Sequence, residues 1–248
     1  MTYQAFAYIY DRLMDEAPYE EWGNYFLRQI EKYHPNCKRV LDVACGTGTL
    51  TLLLKEKGFD LTGVDLSEDM LAVAYEKAMA KGLDIPFYKQ NMTNLEGIGK
   101  YDAVIIFCDS LNYLTEEEDF RKTFLSVGDC LAEGGLFLFD VHSVYKIEEV
   151  FQNQTFAYNG DDISYIWNSF PGEHIHSVEH ELSFFVLDEE LGLYRRYDEE
   201  HKQRTFPVET YEKWLKDTGF TLLSIHGDFL EEGPNETCER IFFTARKN

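Results

Sequence analysis

The run VLDVACGTGTL, residues 40–50, is an apolar strand-like segment that breaks into a glycine loop. It constrains the chain more than any other feature. Strand, glycine loop and helix open a βαβ unit, and such units build parallel sheets with right-handed crossovers. The pattern recurs from 36 to 150. Strands are expected at RVLDVA (39–44), DLTGVD (60–65), IPFYKQN (85–91), YDAVIIFC (101–108) and GLFLFDV (135–141). Helices between them begin near Thr47, Ser67 and Thr115. Ser67 is a good N-cap, Thr115 with Glu118 has capping-box spacing, and Gly58, Gly82 and Gly134 suit the C′ position.

The period then changes. ISYIWNSF, HIHSVEHELSFFVLD and GLYRRYDEEHKQRTF alternate apolar and polar residues and are separated by turn signals, which predicts a three-stranded antiparallel sheet. A helix, VETYEKWLKDT, and two strands close the chain. Ahead of the repeat lies an aromatic helical arm over 1–33, with Tyr3, Phe6, Tyr8, Tyr10, Tyr19, Trp22, Tyr25 and Phe26. The expected fold class is therefore α/β: a Rossmann-like, doubly wound, seven-stranded, mostly parallel sheet with an inserted antiparallel sheet. One domain spans 1–152 and 206–248, its first 33 residues serving as a lid, and the insert spans 153–205 as a cover for substrate.

In an open α/β sheet the ligand lies beyond the carboxyl ends of the strands. ACGTGTLT is placed there, and Gly46 and Gly48 let the backbone approach a ligand closely. A dinucleotide fingerprint, GxGxxG, fails because Thr51 stands at the third glycine when the count starts from Gly46. A P-loop fails because no Gly-Lys-Ser/Thr follows. Asp42, just ahead of the loop, would repel a pyrophosphate but suits a cationic ligand. Asp65 ends the second strand, 19 residues after Gly46, where a carboxylate takes both ribose hydroxyls.

Together, VLDVACGTG, GVDLSEDML, KQNMTNL, YDAVIIFCDSLNYL and LAEGGLFLFDV resemble the motifs of class I S-adenosylmethionine-dependent methyltransferases. The N-terminal YDRLM and the β insert resemble a bacterial small-molecule branch with a glycine N-methyltransferase-like core. That resemblance implies S-adenosylmethionine as cofactor and S-adenosylhomocysteine as product. It implies Asp42, Ala44 and Gly46 at the methionine end and Asp65 at the ribose. Leu66 and Met70 would pack on adenine, with Asn91 and the Met92 amide reading its edge. Cys108 and Ser110 would border the ammonium, and Tyr10 and Trp22 would act as lids. Two positions depart from the pattern: Ala44 stands for a glycine and Asn91 for an aspartate.

Methyl transfer needs alignment and exclusion of water, and a base only if the nucleophile arrives protonated. Asp109, Asn112, Tyr113 and His142 are the polar candidates at the fourth and fifth strand ends. His142, Asn112 and Tyr113 are taken as the catalytic set, with Asp140 and His142 as a carboxylate–imidazole pair. The alternative for each is a structural role. His174, His176 and His180 are placed on one strand face without a third-ligand geometry, so no metal is expected. Tyr165, Trp167 and Phe184 are assigned to the insert's own core.

Charge bears on the acceptor. Against 23 Lys and Arg stand 45 Asp and Glu, a net of −22. Nucleic acid and anionic membranes are repelled by such a surface. A small-molecule acceptor is expected, neutral or cationic, unless the arginines of YRRY (194–197) hold a carboxylate. The alternatives are tRNA methylation or non-catalytic adenosylmethionine binding. Five dispersed cysteines and no signal-peptide pattern suggest a cytoplasmic protein, and no oligomeric state is implied.

Overall fold

The computed structural model describes residues 10, 11, 13 and 17–248. The arm positions Tyr3, Phe6 and Tyr8 lie outside the described residues. The chain runs α1 (Tyr19–Tyr33), β1 (Arg39–Val43), α2 (Thr49–Glu56), β2 (Asp60–Asp65), α3 (Glu68–Ala80), β3 (Phe87–Lys89) and β4 (Tyr101–Ile106). A 3₁₀ turn (Ser110–Tyr113), α4 (Glu117–Cys130), β5 (Leu131–His142) and a π turn (Lys146–Phe151) follow. Then come β6 (Gln154–Asn159), β7 (Ile163–Pro171), β8 (Ser177–Asp188), β9 (Leu193–Arg204), α5 (Val208–Asp217), β10 (Phe220–Gly227) and β11 (Arg240–Lys247).

The main sheet has seven strands in the order β10-β11-β5-β4-β1-β2-β3. The β1–β2, β2–β3, β1–β4 and β4–β5 pairs are parallel, whereas β11 runs antiparallel to both neighbours. The chain steps outward from β1 through β2 to β3 and returns to β4, so the topological switch point lies between β1 and β4. Both faces are covered. One buries Phe120, Phe124 and Trp214 of α4 and α5; the other buries Tyr25 and Phe26 of α1 with Leu52 and Leu54 of α2.

Local sequence sets the helix ends. Ser67 caps α3, its Oγ accepting the Met70 N–H at 3.3 Å. Gly82, at φ +66, closes α3 by donating to Met79, while the Leu83 amide reaches back to the Ala78 carbonyl. That is the paired bonding of a Schellman end, and Gly58 closes α2 in the same way. The Thr115–Glu118 capping box does not form. Glu116 is the N-cap, and the Thr115 carbonyl is taken by Arg204 Nη1 at 2.7 Å. Nor does Gly134 end a helix. Cys130 ends α4, Leu131 enters β5 directly, and Gly134 takes its φ of +71 where the β4–β5 register shifts.

The insert is a four-stranded antiparallel sheet, β6-β7-β8-β9, where three strands were expected. QTFAYN, the segment not foreseen, pairs with β7 from Gln154–Ser169 to Asn159–Ser164. Its side chains are mostly exposed, as on an edge strand, so it lacks a clean apolar alternation. The aromatic arm also divides. Tyr25 and Phe26 on α1 are fully buried in the core. Through these residues α1 packs on the main sheet, while Tyr19 at its start reaches the cavity described below.

Candidate functional site

The glycine loop between β1 and α2 is shaped by left-handed residues. Ala44, Gly46 and Gly48 have φ of +60, +54 and +75. Left-handed backbone is disfavoured for any residue with a Cβ, so Ala44 holds mild strain where the family pattern has glycine. The two glycines do different work. A Cβ on Gly46 would meet nothing within 4 Å, so this backbone is open to a ligand. A Cβ on Gly48 would lie 2.9 Å from the Ala74 Cβ, so Gly48 serves helix packing and not ligand approach.

Asp65 supports this loop. Its Oδ2 accepts the Gly46 N–H and its Oδ1 the Ser67 N–H, both at 2.8 Å. Each oxygen keeps a lone pair, which suits two ribose hydroxyls. Behind the loop, Asp42 is 3% exposed and accepts from Thr51 Oγ1 at 2.5 Å. Burial pushes its carboxyl up to about 7, with Asp65 adding repulsion against the Thr51 hydrogen bond. Asp65 is also raised by burial, opposed by its backbone hydrogen bonds. A buried carboxylate with so little compensation favours a cation beside it. These residues fit the cationic nucleoside that the sequence implied.

At the end of β4, Cys108 and Asp109 are both left-handed, at φ +58 and +53. The kink turns Asp109 inward, where it accepts from Arg240 Nη2 at 2.9 Å and lies 3.4 Å from His142 Nε2. Arg240 also grips Asp140 and lies over the Trp22 ring. Burial would raise Asp109, but His142 and Arg240 hold it far below the ordinary carboxylate range. Asp140 accepts from Trp22 Nε1 at 3.2 Å and from the Asp109 amide at 3.1 Å. The carboxylate facing His142 is therefore Asp109, not Asp140 as the strand spacing suggested.

The insert forms the roof. Side chains two apart on a strand share a face. Tyr165 and Trp167 of β7, His180, Leu182 and Phe184 of β8, and His201 and Gln203 of β9 all line one cavity. Register aligns them: Tyr165 opposes Phe184, Trp167 opposes Leu182, and His180 opposes His201. The three aromatics expected to be insert core thus face the cavity too. The opposite face carries Glu179, Glu181, Asp198 and Glu200; Glu199 shares the face of His201 and Gln203, opposite Leu182, but no acidic residue of the insert lines the cavity itself. Arg195 pairs with Asp188, and Arg196 with Asp198, away from it. Nor do the histidines share a strand face. His174 and His176 precede β8 and lie near Glu116 and Glu148, while His180 is buried beneath Trp167 and Ser169. Among the described residues no cluster is arranged to hold a metal.

The cavity between loop and roof measures about 770 Å³, within the usual range for ligand pockets. It collects Asp42, Ala44, Gly46, Asp65, Leu66, Met70, Asn91, Met92, Cys108 and Ser110, with Tyr10 and the catalytic candidates Tyr113 and His142. Two expected members lie outside it. Trp22 is packed behind, edge-on to Phe229. Asn112 is a buried staple, accepting the His142 N–H at 2.9 Å and donating to the Arg204 carbonyl at 2.8 Å. Asn91 lines the cavity, but its Oδ1 already accepts from the Thr93 amide and hydroxyl at 3.0 Å. Its amide nitrogen, a donor, is what remains for a base. Arg240, Gln203, His180, His201 and Tyr19 also line the cavity and were not singled out for it. Alternation along β8 and β9 was the available signal for three of them.

Residues 40–135 match the family model described as a methyltransferase domain. A Geobacillus sp. protein named as a putative methyltransferase is 52% identical over 248 residues, covering all of both chains. A crystal structure of an S-adenosylmethionine-dependent methyltransferase from Clostridium acetobutylicum aligns with TM-score 0.90 at 34% identity, covering 99% of each chain. A glycine/sarcosine N-methyltransferase from Aphanothece halophytica is 27% identical over 237 residues, 91% of this chain and 82% of that one.

Proposed function

This chain belongs to the S-adenosylmethionine-dependent methyltransferases, and we propose that its acceptor is a small organic molecule held between the glycine loop and the insert. The observation that carries this is the roof. Seven side chains of β7, β8 and β9 close over the same cavity that Gly46 and Asp65 line. Its aromatic and imidazole surface suits a small acceptor enclosed by apolar burial and a few hydrogen bonds. The glycine/sarcosine relative acts on small molecules by its name, which agrees with this reading.

Adenosylmethionine, when bound, supplies a methyl group on a sulfonium, whose displacement needs no further activation. The chain's own groups bind, orient and exclude water. Asp65 would accept from the ribose hydroxyls, and the Gly46 backbone would lie against the nucleoside. Leu66 and Met70 would flank the adenine. Asp42 would face the cationic end, which would neutralise its buried charge. Tyr10 and Tyr19 close the side toward the arm, and Trp167, Phe184 and Phe151 keep water from the acceptor.

A tRNA acceptor is the second reading. Against it stand the net charge of −22 and the insert's outer face of glutamates and aspartates. The test is label transfer from methyl-labelled adenosylmethionine to a bacterial small-molecule extract and, separately, to total tRNA. Label in the small-molecule fraction supports the proposal. Label confined to tRNA overturns it.

A further inference from the structure

A largely buried hydrogen-bond chain ends on the Asp109 carboxylate, whose contact with the His142 ring bears on which nitrogen of His142 carries the proton. The chain starts in the insert. Trp167 Nε1–H donates to His180 Nδ1 at 2.9 Å, and Ser169 Oγ lies 2.7 Å from the same nitrogen. An indole nitrogen can only donate, so His180 Nδ1 is the acceptor and Nε2 carries the hydrogen. His180 Nε2 lies 3.3 Å from Gln203 Oε1, which accepts. Gln203 Nε2 in turn donates to Asp109 Oδ2 at 3.2 Å. Asp109 is ionised, fixed by Arg240, and accepts only. Its Oδ2 is also 3.4 Å from His142 Nε2, so that nitrogen bears the hydrogen. The remaining nitrogen, Nδ1, is buried and has no hydrogen-bond partner among the described residues. The ring is 4% exposed, lies edge-on to Phe151 and lines the cavity.

From this geometry, and resting on the proposed small-molecule reading, we infer that His142 Nδ1 is the proton acceptor of the transfer and that Asp109 and Gln203 are its positioning residues. It follows that the acceptor class is an amine or hydroxyl that gives up a proton, rather than a thiolate or a tertiary amine. The step balances. A lone pair on the acceptor heteroatom forms the new bond to the methyl carbon. The carbon–sulfur bond breaks with its electron pair left on sulfur, now a neutral thioether. The heteroatom's proton passes to Nδ1, giving an imidazolium whose Nε2–H faces the Asp109 carboxylate. That proton leaves to solvent once the site opens. The arrangement parallels a base oriented by a buried aspartate, whose tautomer control matters more than its charge.

The charged and titratable groups facing His142 are Asp109 after β4, Asp140 on its own strand, Arg240 on β11, Lys146 of the π turn and His180 of β8. Burial lowers His142 below the ordinary 6.5 despite Asp109, with Arg240 and Lys146 adding to the effect. The resting imidazole is therefore neutral at pH 7, ready to accept.

The test uses the full chain with ring-¹⁵N-labelled histidine and bound adenosylhomocysteine, read by long-range ¹H–¹⁵N spectra. His142→Gln identifies the resonance. The expected result at pH 7 is a single proton on His142 Nε2, and on His180 Nε2. In Asp109→Asn, where an amide can donate to Nε2, the proton shifts to Nδ1. A proton on Nδ1 in the unaltered chain, or a doubly protonated ring at pH 7, overturns the inference. In the small-molecule extract, His142→Gln should cut methyl incorporation about 10²-fold or more. Adenosylhomocysteine affinity should stay within about twofold, and the acidic limb of the pH profile measured at saturating adenosylmethionine should disappear. Undiminished incorporation overturns the base role. Label found only in tRNA would instead remove the small-molecule reading while leaving the tautomer result intact.

Discussion

Asp42 should make cofactor binding depend on pH. In the structure its carboxyl is pushed up to about 7 from 3.8, chiefly by burial. The unfolded chain has the ordinary value, so the folded chain holds the proton more tightly between about pH 4 and 7. This group's contribution to stability is therefore full below about pH 4 and is lost as pH rises to 7. The shift of about three units corresponds to a loss of up to about 4 kcal/mol. A cationic ligand reverses the preference. An opposite charge within hydrogen-bonding range lowers a carboxyl by about 1–3 units. Adenosylmethionine binding should then release a proton below pH 7, and affinity should rise about 10- to 10³-fold from acid to neutral pH before levelling. Titration calorimetry from pH 5 to 8, in two buffers of different ionisation enthalpy, reads both the affinity and the proton count. Asp42→Asn should flatten most of the slope, leave a residue from Asp65, weaken binding at pH 8 and raise the ligand-free melting temperature there. Affinity independent of pH in the unaltered chain, or an unchanged slope in Asp42→Asn, refutes the reasoning.

Other substitutions separate scaffold from site. Gly48→Ala forces a Cβ against Ala74 at left-handed φ and should cost about 2–5 kcal/mol by urea denaturation. Gly46→Ala should cost only about 1–2 kcal/mol yet weaken adenosylhomocysteine binding by calorimetry. Asn112→Ala strands the buried His142 amide and Arg204 carbonyl. A loss of about 2–4 kcal/mol is expected, with cofactor affinity unchanged. Lys77 Nζ holds Asp11 at 2.7 Å and Thr49 at 2.8 Å, tying the residues beside Tyr10 to α2 and α3. Lys77→Met should speed adenosylhomocysteine dissociation several-fold in stopped-flow chase experiments. Hydrogen exchange should protect α1 equally with and without adenosylhomocysteine, because Tyr25 and Phe26 are core.

The main sheet was legible because each strand carries its own apolar run and each helix its own punctuation. Ser67, Gly58 and Gly82 end elements where local chemistry alone predicts. Thr115 and Gly134 failed because tertiary partners, Arg204 and the β4–β5 register shift, took over their local roles. On the site, the glycine loop and Asp65 were readable from spacing within one βαβ unit. Arg240 was not, since its partners Asp109 and Asp140 are 131 and 100 residues away. Pairing His142 with Asp140 followed from strand alternation, but the left-handed Cys108–Asp109 kink brought a different carboxylate. The insert's face was recoverable from period two, yet only the fold shows that this face, besides packing on its own aromatics, roofs the cavity above the glycine loop.

The most direct measurement is a crystal structure of the protein with adenosylhomocysteine. The account predicts ribose hydroxyls on Asp65, adenine between Leu66 and Met70, the amino group toward Asp42, and sulfur facing the space bounded by His142, Trp167 and Phe184. An adenosine group placed elsewhere, or a sulfur turned toward open solvent away from the insert, would contradict it.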